Sequence, residues 1–427
     1  MMKKIGSNTK PMRLIYTFLL LLFSCTIFGQ NIMLSADRLF DGTAMHNNYA
    51  VLVKDNMITE VGPTKNLQSK ADSIINFGDS TLMPGMIEGH SHVLLYPYDQ
   101  TDWNDQVLKE SRSLRAIRGA KMAEKNLMAG FTTIRDLGTE GAAYADAAIK
   151  QSIELGINPG PRMLIAGRAI VASGSYGPKG YNPDMDVILG AQPADGDDVI
   201  RVTREQIGHG ADVVKVYADY RWGPNKTAMP TFSVDELTMI VETAKSSGRD
   251  VAAHSSTAEG MRRATLAGVR TIEHGTDATD EVLQLMKEHN VALCPTLAAT
   301  YAITTYKGWN DKTQPEPEPI LKSREFFKKV LKSGVKVVAG GDVGVFAHGE
   351  NARELVLMSQ YGMPNLDVLK SVTSGNAEVF RLNDLGQLKA GFLADIIAVK
   401  GNPETEIKDL FNVDFVMKDG VIYKSEN

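Results

Sequence analysis

Hydrophobic and polar positions follow two different rhythms along the chain. Between residues 31 and 83, short stretches such as Ala50-Val51-Leu52-Val53 and Met57-Ile58-Thr59-Glu60-Val61 are broken by Asp41-Gly42 and Gly62-Pro63, which predicts strands of a small sheet separated by turns. The same texture returns between 381 and 427, in Ile396-Ile397-Ala398-Val399 and around Asp419-Gly420, a hairpin signal. From 84 to 380 the rhythm changes to short apolar runs alternating with amphipathic stretches, the pattern of parallel βα units. The predicted strands are 86–92, 132–136, 162–166, 212–217, 250–254, 270–274, 291–295 and 335–340, with helices such as 113–128, 197–207, 233–246, 280–289 and 324–332 between them. Glycines at 130, 210, 248, 268 and 334 stand where these helices should stop.

Eight parallel strands, each followed by a helix, predict an α/β chain closed into a (β/α)8 TIM barrel, with its chemistry at the C-terminal strand ends. An open doubly wound sheet would carry a glycine-rich dinucleotide loop after its first strand. Met86-Ile87-Glu88-Gly89-His90-Ser91-His92 is not one. The Pro/Glu cluster Gln314-Pro315-Glu316-Pro317-Glu318-Pro319 reads as an exposed loop.

Residues 1–30 stand apart from the fold. Lys3, Lys4, Lys10 and Arg13 precede the apolar run 14–22 and small residues near 24–29, the layout of an export signal, which predicts a periplasmic or secreted protein with no membrane span once the signal is removed. An uncleaved membrane-spanning anchor is one alternative, although the apolar stretch is short for a span; Leu22-Phe23-Ser24-Cys25 resembles a bacterial lipobox, so lipid attachment at Cys25 is another. The other cysteine, Cys294, lies in an apolar run, and cleavage beyond Cys25 leaves no intramolecular disulfide. A net charge of -5 argues against nucleic acid as a partner, because no excess of cations is present to displace phosphate counterions.

The histidines carry the first chemical signal. Side chains alternate along a strand, so His90 and His92 point to one side and can grip one ion. Alone, such a pair says little. His254 ends the fifth predicted strand, His274 ends the sixth, and Asp342 follows the eighth, which places all five at one barrel mouth, with donors suited to zinc and similar divalent ions. Lys215 shares a strand face with Tyr217, while Val214 and Val216 suit the helix-facing side. An ammonium pointing into that mouth would be costly to desolvate, which favours a neutral amine able to take up CO2 as a bridging carbamate.

As a set, Pro84-Gly85-Met86-Ile87-Glu88-Gly89-His90-Ser91-His92, Thr133-Ile134-Arg135-Asp136, Lys215-Val216-Tyr217, Ala253-His254, Glu273-His274-Gly275, Gly341-Asp342 and Gly391-Phe392-Leu393-Ala394-Asp395-Ile396 resemble the amidohydrolase superfamily. Within it they are similar to the binuclear branch near imidazolonepropionase-like proteins and prolidase-like metallopeptidases. The resemblance implies that His90, His92 and Asp342 hold one ion, that His254 and His274 hold a second, and that carboxylated Lys215 bridges them. A bridging hydroxide would be the nucleophile, with Asp342 as the catalytic proton carrier. It also implies that the terminal strand clusters pair into one composite β-sandwich.

Tyr217 would face the same cavity and either bind the substrate carboxylate or oxyanion, or pack there. His348 resembles a pocket-lining position of the prolidase-like branch, and Asn351 with Glu354 reads equally as a helix cap with a capping box. Arg135 is expected in a structural ion pair, and His46, His209 and His289 in solvent. Gly174-Ser175-Tyr176-Gly177 departs from the Gly-Gly-His-Gly stretch of prolidase-like members, which puts Tyr176 beside the substrate and Xaa-Pro specificity in doubt. The expected reaction is hydrolysis of an amide in a dipeptide or N-acyl amino acid by a protein carrying two divalent ions, zinc first among them. Cyclic amides, lactones or phosphotriesters are the alternative substrates, and a non-catalytic solute-binding barrel is a second alternative. Assembly into a homo-oligomer is left open.

Overall fold

The computed structural model describes residues 30–182 and 184–426. The predicted signal up to residue 29, Cys25 included, lies outside the described residues. Strands β1 (Met86–Ser91), β2 (Phe131–Asp136), β3 (Arg162–Ile165), β4 (Val213–Tyr217), β5 (Asp250–Ser255), β6 (Thr271–His274) and β7 (Ala292–Cys294) run parallel with helices between them. Between β3 and β4 the ring is carried by Asp212, whose N–H donates to the Ile165 carbonyl at 2.7 Å and whose carboxylate accepts from the Ile165 N–H at 2.9 Å.

The eighth side of the barrel is less regular than the sequence predicts. Instead of a strand over 335–340, the chain makes isolated parallel bridges from Val337 to Leu293 and from Val343 to Ser91. Gly340 explains why. A Cβ there would lie 2.6 Å from the His90 nitrogen, so this backbone presses against β1 more closely than a side chain allows. Asp342 then takes φ 62° and leaves the extended conformation altogether.

Strand alternation sorts the faces. Val214 and Val216 of β4 pack outward in a core that includes Ile240 and Met261 of the surrounding helices, while Val213 meets Leu137, Ala166 and Ala252 on the other face. Lys215 and Tyr217 share that second face and are buried. Helix ends follow local chemistry. Ser233 forms a complete capping box with Glu236 on helix Val234–Lys245, and Gly334 closes helix Glu318–Ser333 in the left-handed conformation. That helix begins six residues before the predicted 324, inside the Pro/Glu cluster, because Pro319 falls in its first turn, where a missing N–H costs nothing.

The terminal segments build one sandwich. A four-stranded sheet comes from residues 31–76, and a six-stranded sheet interleaves both ends of the chain. In the latter, Ile396–Lys400 runs antiparallel to Ser80–Pro84, with Ile396 opposite Pro84 and Lys400 opposite Ser80. Leu34, Val51 and Ile58 of the first sheet share a core with Leu82, Ile396 and Phe415 of the second. Among the described residues no helix is long and apolar enough to cross a membrane.

Candidate metal centre

The C-terminal ends of β1, β5 and β6 and the irregular eighth side converge on a cavity of about 450 Å³ lined by His90, His92, His254, His274 and Asp342. The imidazole Nε2 atoms of His90 and His92 lie 3.6 and 3.4 Å from the same Asp342 oxygen. Donor atoms of His90, His274 and Asp342 all fall within 4.8 Å of one another. The ring centroids of His254 and His274 are 4.5 Å apart, and those of His90 and His274 5.2 Å. Lys215 is 1 % exposed, its amine 5.6 Å from the centre of the Tyr217 ring, and it makes no ion pair among the described residues.

The surroundings aim these donors. Each of three imidazoles spends its Nδ1 on the protein: His90 on Glu273 at 2.9 Å, His92 on the Gly138 carbonyl at 2.9 Å, and His274 on the Thr296 hydroxyl at 2.7 Å. Nε2 is left for the cavity, the arrangement by which outer groups orient metal-ligating histidines. Burial holds His90 and His254 well below the usual imidazole range and His274 at about 3, with like charges such as Lys215 adding to the effect. They are neutral lone-pair donors, as cation binding requires. Burial also lowers the Lys215 amine and raises the Asp342 carboxyl. His274 and Asp342 carry left-handed φ values of 75° and 62°, strain of about 1–3 kcal/mol each that concentrates where function demands a fixed direction. By donor type, protonation and direction, this set fits divalent cations.

The amidohydrolase family model matches residues 81–423, four-fifths of the chain. The chain belongs to the amidohydrolase family. An ochratoxinase of Aspergillus niger is 30% identical over 426 residues, covering 90% of this chain and 84% of that protein. A solved structure of a Xaa-Pro dipeptidase with bound methionine in its active site superposes with a TM-score of 0.81 at 30% identity, covering 92% of this chain and 100% of that one. More distantly, the imidazolonepropionase of Pyrobaculum arsenaticum is 20% identical over 379 residues, 84% of this chain and 88% of that protein. The protein is thus a hydrolase of this family, with prolidase-like structural neighbours.

Other predicted positions of this amidohydrolase fall differently. Tyr176 and Tyr217 do line the cavity, yet both hydroxyls donate to Glu140, at 2.5 and 3.3 Å. The Tyr217 ring stacks on His254, centroids 4.5 Å apart, which favours its packing alternative. His348 does not line the cavity. It is buried behind the site, with Nδ1 against Asn126 at 3.1 Å, because the turn after Asp342 folds back over the loop that follows β1. Asn351 stands at the N-cap position of helix Ala352–Gln360, but its side chain makes no capping bond. Its amide donates to Glu88 at 2.9 Å, and Glu354 accepts from the Leu297 and Ala298 N–H groups instead of completing a box. Arg135 spans the barrel interior from Gly89 to Glu273, a structural ion pair at 2.8 Å. His46 pairs with Asp41 and His209 stacks on Tyr144, both at the surface.

Three cavity or support groups escaped the sequence reading. Glu273 was visible only as a neighbour of His274, although its two oxygens orient His90 and hold Arg135. Glu140 sits four residues beyond β2, at the rim where barrel enzymes place functional groups, and that position was the available signal. Arg221 lines the cavity, is exposed, and makes no ion pair or hydrogen bond among the described residues.

Proposed function

We propose that the chain is a binuclear metal hydrolase of carbon-nitrogen amide bonds, acting on dipeptides or N-acyl amino acids. The observation that carries this reading is the convergence of four imidazoles and one carboxylate on a single cavity at the C-terminal end of the barrel, with buried Lys215 in electrostatic contact with them. His90, His92 and Asp342 would hold one divalent ion and His254 and His274 the other, zinc suiting a nitrogen-rich set. Such ions, when bound, supply Lewis acidity to a scissile carbonyl and lower the pKa of water. Lys215, whose amine burial shifts toward the neutral form, would add CO2 at Nζ with loss of one proton, and the resulting carbamate would supply two further oxygen donors.

Asp342 would take the proton of the attacking water and pass it to the leaving amine nitrogen. Arg221 would receive the substrate carboxylate, since it is an unpaired guanidinium at the cavity wall. The names of the relatives support an amide-bond substrate, and the methionine bound in the Xaa-Pro dipeptidase supports an amino-acid product. Xaa-Pro specificity does not follow for this chain, because Tyr176 occupies the loop where prolidase-like members differ. The leader read from the sequence would place this activity outside the cytoplasm.

The test is a panel of dipeptides and N-acyl amino acids assayed with zinc-loaded protein beside lactones and paraoxon. Turnover of the first group with kcat/KM near or above ~10⁴ M⁻¹s⁻¹ is expected. Activity confined to lactones or paraoxon would overturn the amide assignment.

A further inference from the structure

Glu140 presents a problem that the hydrolytic machinery does not solve. It is 2 % exposed, lines the cavity, and sits at φ 48°, inside a run of left-handed residues that includes Gly141 and Ala143. Its oxygen Oε2 accepts from the Trp103 indole at 2.9 Å and the Tyr176 hydroxyl at 2.5 Å, while Oε1 has only the long contact from Tyr217 at 3.3 Å. All three donors are neutral. The nearby Arg115 guanidinium is spent on the backbone carbonyls of Leu94, Thr139 and Glu140 itself, and no lysine, arginine or histidine pairs with the Glu140 carboxylate among the described residues.

A buried carboxylate with no direct ion pair, coupled only at longer range to Arg115 and Lys215, is expensive, and the low-dielectric cavity that makes it so also makes it attract an organic cation. The walls around it are aromatic. Tyr176 lies 4.7 Å from Tyr217 and 4.8 Å from Tyr220, ring centre to ring centre, with Trp103 5.3 Å behind. Tyr176 and Tyr217 aim their hydroxyls at the carboxylate, and aromatic walls beside an anion suit ammonium and guanidinium ligands.

We infer that Glu140, walled by Tyr176, Tyr217 and Tyr220, is a cation subsite that selects substrates carrying an ammonium or guanidinium group close to the scissile amide. This rests on the amide-hydrolase reading and narrows it, favouring free or basic dipeptides over neutral N-acyl amino acids. It also divides the cavity electrically, with the cationic group at Glu140 and the substrate carboxylate at Arg221. The opposite placement would set two carboxylates against each other.

Two matched pairs test it on the zinc-loaded full chain: L-alanyl-L-methionine against N-acetyl-L-methionine, and Nα-acetyl-L-lysine against Nα-acetyl-L-norleucine. The first isolates an α-ammonium and the second a side-chain cation. At least one cationic member should be preferred tenfold or more in kcat/KM, and Glu140→Gln, which keeps an oxygen acceptor but removes the charge, should cut that ratio to below threefold. Trp103→Phe, which removes one donor and keeps the carboxylate, should retain the preference. Equal use of both members of both pairs, or a preference that survives in Glu140→Gln, overturns the subsite while leaving the hydrolase standing. If no amide is cleaved, calorimetric binding of the same four probes decides, since the preference must then appear in affinity and be lost in Glu140→Gln. Equal affinities would overturn it.

Discussion

Asp342 and Glu273 show what single side chains do here. Among the described residues, Asp342 is the one carboxylate within 4 Å of both His90 and His92. Asp342→Asn keeps the shape but cannot carry a proton, so turnover should fall by about 10²- to 10⁴-fold or more while the circular dichroism spectrum is unchanged. Glu273 touches no substrate, yet it orients His90 and balances Arg135. Glu273→Gln should weaken metal retention about 10- to 100-fold in a chelator competition, and should lower the melting temperature because Arg135 loses its buried partner. His348 gives a pH signature. Burial holds it at about 3, so the native state keeps it neutral while the unfolded chain protonates it near 6.5. Its contribution is therefore full above 6.5 and is lost as pH falls toward 3. Denaturant titrations should show the stability of the wild type falling more steeply than that of His348→Gln, by about 1.4 kcal/mol per pH unit between pH 6 and 4.

At the scale of elements, alternation and punctuation do most of the positioning. β4 turns Val214 and Val216 toward the helices and Lys215 and Tyr217 toward the mouth, so a period of two in five residues already separates packing from chemistry. Helix Val234–Lys245 stands behind β4 and β5, and its start is set by Ser233 and Glu236. Ser233→Ala should cost about 1 kcal/mol in urea unfolding with little change in KM, since Ser233 does not line the cavity. The eighth side of the barrel shows the reverse case. Its apolar run looked like any other strand, but Gly340 and Asp342 trade regular pairing for a close approach to β1 and a fixed carboxylate.

For the whole molecule, the decisive feature is that both chain ends share a sheet. Ile396–Lys400 lies between Val413–Lys418 and Ser80–Pro84, so the last strands close the sheet that the first ones open. A chain ending at 380 should fail to yield soluble protein or lose its cooperative thermal transition, because Leu82 and its neighbours in the shared core would be left bare. A truncated protein that melted like the full chain would contradict this. The barrel order, the inward face of Lys215 and the convergence of the strand-end histidines were legible in the sequence, since periodicity and strand-end position are local properties that tertiary packing preserves. The setting of Glu140, the retreat of His348 behind the site, and the capture of Asn351 and Glu354 by groups far away in the chain were not. Each depends on a loop conformation or a buried partner supplied by a distant segment, and hydrogen-bond and charge balance of that kind exists only once the barrel has closed.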